Sequence, residues 1–360
     1  MSADKPVLIM AGGTGGHIFP GIAVADELRS RGVPVVWLGA AGGLETTLVP
    51  KAGIAIETLA IGGVRGKGAA TLLKAPLRIL RAVFAARAVL KRTNPRSVLS
   101  MGGFAAGPGG IAAWMTGRPL VVHEQNRVPG VTNKTLARVA RRVLSGFVDA
   151  FPKTNKAEWV GNPVRVAISS IDAPAARLAA RDGAPRLLVL GGSLGAQALN
   201  ARVPQALAAL PEAQRPQVRH QCGAKHADAA RKAYADAGVA ASVEPFIDDM
   251  AAAYAWADLI VCRSGALTLA EVAAAGLGAI FVPFPHAVDD HQTRNAEAFV
   301  DAGAALLIPE SQADAATLAR ELARLFGDRA QLVRMAEAAR TLAKPGAAST
   351  IADICLEVAA

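Results

Sequence analysis

The amino-acid sequence predicts an α/β protein made of two doubly wound domains in tandem, and three observations point there. Two apolar runs without polar alternation, VLIMA at 7–11 and LLVL at 187–190, each end in a glycine-rich loop, GGTGG and GGSLG. Strands covered on both faces read this way. A helix-like segment follows each loop, IAVADELRSRG after the first and AQALNARVPQALAAL after the second. The two strand–loop–helix units lie half a chain apart, as a repeated architecture requires.

The remaining elements fit that frame in order. VVWLG (35–39), SVLSM (97–101) and PLVVHE (119–124) supply strands to the first half, and LIVCR (259–263) and AIFVP (279–283) to the second. Ala- and Leu-rich helical stretches between them force parallel pairing. GNPVR (161–165), with a glycine and an Asn-Pro turn signal, is the expected linker. KPGAAS (344–349) breaks the last long helix. The expected divisions are therefore 1–160, 161–342 and a terminal helix in 343–360.

Composition narrows the function. With 52% hydrophobic and 19% charged residues over 360, the chain is ordered and long enough for two cores. Aromatics at 4% argue against a stacking platform for single-stranded nucleic acid, and no nucleic-acid partner is expected. Cys222, Cys262 and Cys355 stand far apart, which suits a reducing compartment and neither a disulfide framework nor a zinc site. No secretory signal is read at MSADKPVLIM, and the longest uncharged run, between Arg96 and Arg118, is too glycine-rich to span a bilayer. Charge is one-sided. Residues 1–160 hold 21 Lys+Arg against 8 Asp+Glu, and no acidic residue lies between Glu57 and Glu124. That half expects a polyanionic partner: a membrane surface, a nucleic acid or a diphosphate.

A loop that leaves a strand and opens a helix offers backbone N–H groups and a positive dipole end to an oxyanion. GGTGGH fits neither the G-x-G-x-x-G dinucleotide register nor a Walker loop, and MGGFAAGPGG (101–110) is a third such loop. His17, beside a helix start, is expected neutral at pH 7 and able either to take a proton from a hydroxyl or to orient a diphosphate. In VCRSGALTLAEVAAAG the amides of Ala266, Leu267 and Thr268 face a ligand at a helix start. Glu271, one turn on, can accept two hydrogen bonds from a ribose diol. Gln292 and Asn295 are neutral amides suited to sugar hydroxyls. No D-x-D occurs, so neither a metal nor a cofactor is expected.

GGTGGH, HEQN (123–126), GNPVR, GGSLGA, PFIDDM, RSGALTLAE and DDHQTRNA follow one another across the whole chain. In that order they resemble the bacterial glycosyltransferases of cell-wall synthesis that move N-acetylglucosamine from UDP to a lipid-linked muramyl-pentapeptide. The resemblance implies the GT-B architecture: two Rossmann-like domains facing an interdomain cleft, with the terminal helix crossing back to the first. It places the donor mainly on the second domain, with Ile247 meeting uracil through its backbone, Arg165 beside the nucleotide, and Glu271 on the ribose. Ser193 and the amides around Ala266–Thr268, extending to Leu269 and Ala270, would take the phosphates. Gln292, Asn295 and Asn126 would touch the sugar, and Thr14, Gly15 and Gly16 would close from the opposite wall. Gly102, Gly103, Gly107 and Glu124 would face the acceptor. Leu194 and His291 stand where relatives commonly carry Gln.

The implied reaction is a metal-independent, inverting attack of the muramyl C4 hydroxyl on the anomeric carbon. His17 is the candidate for taking the proton or holding the acceptor diphosphate, and Glu124 is a weaker candidate base. In the expected helix over 72–92, Lys74, Arg78, Arg81 and Arg92 share an arc of roughly 60°, with Leu77, Leu80, Val83 and Phe84 nearby. Such a helix can lie on an anionic membrane at its cytoplasmic face. Rival readings are another glycolipid-directed UDP-sugar transferase, a non-catalytic UDP-sugar sensor, an oxidoreductase or a nucleic-acid binder.

Overall fold

The computed structural model describes residues 5–62, 75–152, 156–179, 181–192, 195–285 and 290–359. They divide into two compact units, residues 1–165 with 346–360, and residues 166–345. GNPVR closes the chain segment of the first unit, and the division falls directly after its last residue, Arg165. The reason is local: Asn162 is buried and donates to the Gln125 carbonyl (3.0 Å), while the Gly161 carbonyl lies 2.9 Å from His123 Nε2.

The first unit is a seven-stranded parallel sheet of β1 Val7–Ala11, β2 Val35–Ala40, β3 Ala55–Leu59, β4 Ser97–Gly102, β5 Leu120–Glu124, β6 Arg142–Ser145 and β7 Glu158–Trp159, ordered β3-β2-β1-β4-β5-β6-β7. Its helices are α1 Gly15–Ser30, α2 Glu45–Lys51, α3 Ala75–Thr93, α4 Ala106–Met115 and α5 Val131–Leu136, with α15 Ala347–Glu357 from the far end of the chain. Strand alternation sorts the core. Val7, Ile9 and Ala11 join Ile18, Leu28, Ile351 and Cys355 on one face, while Leu8 and Met10 join Val83, Ala86 and Ala112 on the other. Both faces are covered, so β1 has no polar alternation. Gly21 lets α1 close on the sheet, since a Cβ there would stand 2.6 Å from Trp37. Arg31 bonds Glu27, Ser349 and Asp353, and Ser97 Oγ donates to the Cys355 carbonyl at 2.7 Å, fastening α15.

The second unit is a six-stranded parallel sheet of β8 Arg186–Leu190, β9 Gln217–Gln221, β10 Ser242–Glu244, β11 Leu259–Cys262, β12 Gly278–Phe281 and β13 Ala305–Leu307, ordered β10-β9-β8-β11-β12-β13. Its helices are α6 Val166–Ser169, α7 Pro174–Ala179, α8 Gln197–Ala208, α9 Ala227–Asp236, α10 Met250–Trp256, α11 Ala266–Ala275, α12 His291–Asp301, α13 Ala315–Phe326 and α14 Arg329–Thr341. In both sheets the order reverses beside the strand that carries the glycine loop, β1 next to β4 and β8 next to β11. Open α/β sheets bind ligands at the carboxyl ends of such strands.

Candidate functional site

At the carboxyl end of β1, Gly12 and Gly13 lead through Thr14 into α1, whose start has no side-chain cap. Glu45, the first residue of α2 and fully buried, accepts from Gly13 N (3.1 Å) and Ala40 N (2.8 Å). Three glycines make room for it. A Cβ on Gly12 would lie 2.7 Å from the Glu45 Cδ, on Gly39 2.6 Å from its Cγ, and on Gly43 2.5 Å from its Cδ. The first loop is therefore glycine-rich in part because a buried carboxylate sits beneath it. Nothing local in ETTLVP announces that role.

Gly102 and Gly103, expected at the acceptor, are committed to packing between loops. Both have positive φ, +101° and +95°; a Cβ on Gly103 would meet the Gly12 carbonyl at 2.5 Å, and one on Gly102 would meet the His17 ring at 3.1 Å. Gly107 is half-buried in the first turn of α4, with the Thr132 methyl 3.8 Å from where its Cβ would be. His17 is thus wedged between two strand ends, its Nδ1 3.4 Å from Thr14 Oγ1. Burial lowers its pKa from the ordinary value, against the opposing pull of Glu124, the Gly12 carbonyl and Glu45. The ring is neutral at pH 7 and can accept a proton.

Glu124 has a different task from the base expected of it. Its Oε1 accepts from Asn126 N (3.0 Å) and Asn126 Nδ2 (3.2 Å), and its Oε2 from Gly130 N (3.1 Å) and Asn133 Nδ2 (3.0 Å). Four donors occupy the lone-pair sites of a carboxylate, so Glu124 anchors the 125–133 segment. The same bond engages the Asn126 amide. Asn133, which also takes the Ser100 hydroxyl (3.0 Å), completes this floor below His17. Arg165 stacks on Phe19, 5.2 Å from the ring centroid.

In the second unit α11 starts at Gly265 without a side-chain cap, leaving first-turn amides at Ala266, Leu267 and Thr268 for a ligand. Ser264 Oγ, fully buried just before that start, has no hydrogen-bond partner. The other end of the helix is neutralised: Arg177 donates to the Ala275 carbonyl (2.7 Å) and Arg340 to that of Ala274. Leu269 follows in the same turn. Its side chain is buried and its N–H is spent on the Gly265 carbonyl (3.0 Å). Ala270 offers a half-exposed methyl. Glu271, 6% exposed, accepts from the Tyr254 hydroxyl at 2.9 Å.

The Ile247 side chain is buried. Gln292 Oε1 takes the Phe284 N–H (2.9 Å), which turns its amide NH₂ toward other partners. Asn295 is fully buried. Ser193 and Leu194 lie outside the described residues. Beside the second glycine loop, a cavity of about 510 Å³ is lined by Gly195, Gln197, Arg202, His226, Arg263 and Phe284. Arg263 is held there by the Val282 and Pro283 carbonyls (3.0 Å each) and by Glu310. Among the described residues no cluster of His, Cys, Asp and Glu could hold a metal ion.

On α3, Leu77, Leu80 and Phe84 are exposed at 53%, 51% and 54%, beside exposed Trp114 and Met115 of the packed α4. Val83 is instead core; Arg92 is exposed and paired with Glu57 at 2.7 Å, and Arg78 and Arg81 are exposed as well. Lys74 lies outside the described residues. No described helix is long and apolar enough to cross a membrane.

Comparison with known proteins adds the family. Residues 7–145 match the N-terminal domain, and residues 186–351 the C-terminal domain, of glycosyltransferase family 28. A Xanthomonas campestris pv. campestris relative named UDP-N-acetylglucosamine–N-acetylmuramyl-(pentapeptide) pyrophosphoryl-undecaprenol N-acetylglucosamine transferase is 62% identical over 99% of this chain and 82% of its own length. A relative of the same name from Alkalilimnicola ehrlichii is 58% identical over 98% and 99%. The crystal structure of Acinetobacter baumannii MurG superposes with a TM-score of 0.82 at 41% identity, covering 98% of this chain and 99% of that one.

Proposed function

The chain belongs to glycosyltransferase family 28, and we propose that it transfers N-acetylglucosamine from UDP to the C4 hydroxyl of the undecaprenyl-diphospho-N-acetylmuramyl-pentapeptide. The observation that carries this reading is the near full-length likeness to transferases of that name. The two units then divide the chemistry.

In the second unit the nucleotide is read by the Ile247 backbone and by Glu271, and the diphosphate is received by the amides of Ala266, Leu267 and Thr268 with Ser193. Those amides are fixed before reaction, so they stabilise negative charge as it develops on the leaving UDP. The arginines on the last carbonyls of α11 keep its negative end from opposing that field. In the first unit neutral His17 takes the proton of the attacking hydroxyl. The bond to the anomeric carbon forms on the face opposite UDP, giving a β-1,4 linkage in one displacement. The Glu124 and Glu45 carboxylates favour the imidazolium so formed.

The apolar and basic face of α3 holds this unit at an anionic membrane, where the lipid acceptor resides. Arg78 and Arg81 each contribute about 1 kcal/mol there. Labelled UDP-N-acetylglucosamine supplied with the lipid acceptor tests the reaction: label passes to lipid under this reading. Donor binding without transfer would instead fit a sensor. Sedimentation with phosphatidylglycerol vesicles tests the surface. R78E/R81E should lose most binding, and unchanged sedimentation removes the membrane role.

A further inference from the structure

Two sequence blocks of the second unit, PFIDDM and RSGALTLAE, are joined by a side chain that belongs to neither. Asp249 caps α10, its Oδ1 accepting from Ala252 N at 2.9 Å. The cap sits two residues after the buried Ile247 and fixes where the helix begins. Five residues beyond Asp249, the helix delivers Tyr254, fully buried, with its hydroxyl 2.9 Å from Glu271 Oε2 on α11.

We propose that Tyr254 is a positioning residue for the ribose site: its hydroxyl fixes the Glu271 carboxylate so that the acid receives the ribose hydroxyls, and thereby sets discrimination between ribonucleotide and 2′-deoxyribonucleotide donors. The inference rests on the reading of Glu271 as the ribose acceptor. A carboxylate turns easily about its last torsion. A donor on one oxygen sets the plane of the group and hence the direction of its remaining lone pairs. Because both residues are buried, water cannot replace the hydroxyl when it is removed.

Tyr254→Phe keeps the ring that packs in the core and deletes only the hydroxyl. Steady-state transfer is measured with UDP-N-acetylglucosamine and with its 2′-deoxyuridine analogue, for the unaltered enzyme, Y254F and E271A. For Y254F the expected result is a KM for the natural donor raised about tenfold with kcat within about twofold. Its KM for the deoxy donor changes far less, so the preference between donors shrinks. Equal rises for both donors, or no change in either while E271A loses the preference, would overturn the role of Tyr254. If E271A itself keeps the full preference, the ribose reading of Glu271 fails and the inference falls with it.

Discussion

The two glycine loops share a sequence signature and rest on opposite foundations. Under GGTGG lies a carboxylate: Glu45 holds the Gly13 N–H at 3.1 Å. Under GGSLG lies a neutral amide: Gln221 Oε1 holds the Gly192 N–H at 3.0 Å, and its Nε2 donates back to the Gly192 carbonyl at 3.0 Å. Both loops use positive φ at the second glycine, +88° at Gly13 and +78° at Gly192. A buried negative charge below a loop disfavours a diphosphate above it and favours a cation. A neutral amide leaves the field of the helix start intact. The comparison teaches that the glycines report close packing in both places, whereas the residue beneath them differs; under the proposed reading that residue decides which half receives the nucleotide phosphates and which carries the proton acceptor.

The largest expected effect comes from removing that acceptor. H17A should lower kcat by about 10²–10⁴-fold while UDP-N-acetylglucosamine binding, followed by calorimetry, stays within about twofold. A matching loss of donor affinity would break the division of labour. Next in size is acid sensitivity, which both units share. His123 in the first and His220 in the second are each pushed down to about 4 by burial. An unfolded histidine titrates near 6.5, so the unfolded chain binds the proton first as pH falls. The stabilisation is complete above about 6.5 and is lost as pH falls toward 4, at roughly 2 kcal/mol per histidine by pH 5. Urea midpoints at pH 7.5 and 5.0 measure it; equal midpoints would contradict the burial of these rings.

The smallest effects sharpen the comparison most. E45Q removes the charge under the first loop and leaves one of two backbone amides without an acceptor, a cost of about 1–3 kcal/mol. It should lower Tm and shift the acid limb of the kcat profile downward, because Glu45 raises the pKa of His17. Q221E places a charge beneath the second loop and should raise the donor KM about tenfold with little change in the pH profile. The reverse pattern would mean that the loops have exchanged roles.

Much of this arrangement is legible in the sequence. The uninterrupted apolar runs of β1, β8 and β11, and the largely apolar β4 and β5, announce strands buried on both faces, and glycine loops mark the carboxyl ends of β1, β4 and β8. AIETL and QVRHQ do not. AIETL carries charge because β3 is an edge strand, and QVRHQ, which lies inside the sheet between β10 and β8, because a polar network occupies one face, His220 with Tyr234 (2.9 Å) and Asn200 (3.0 Å). GNPVR reads as a linker because its polar residues look solvated, yet Asn162 is buried against Gln125. Glu45 and Tyr254 are invisible for a related reason. Each acts through a residue distant in the chain, and nothing in its own neighbourhood differs from an ordinary helix start or a core aromatic. The capping Asp249 is the one local signal that could have led to Tyr254.

The fastening of α15 to α1 and β4 has a consequence for how the molecule is made. Ile351, Ala352 and Cys355 complete the face of the first sheet formed by Val7, Ile9 and Trp37. The ribosome delivers the strands of that sheet early and their cover last, after all of residues 166–345. During synthesis the second unit has its whole chain available for folding before the first can finish, while the α1 side of the first sheet keeps an uncovered apolar strip that chaperones and aggregation compete for. A chain cut short anywhere before residue 347 thus lacks the eleven-residue helix that covers this seam of the first sheet.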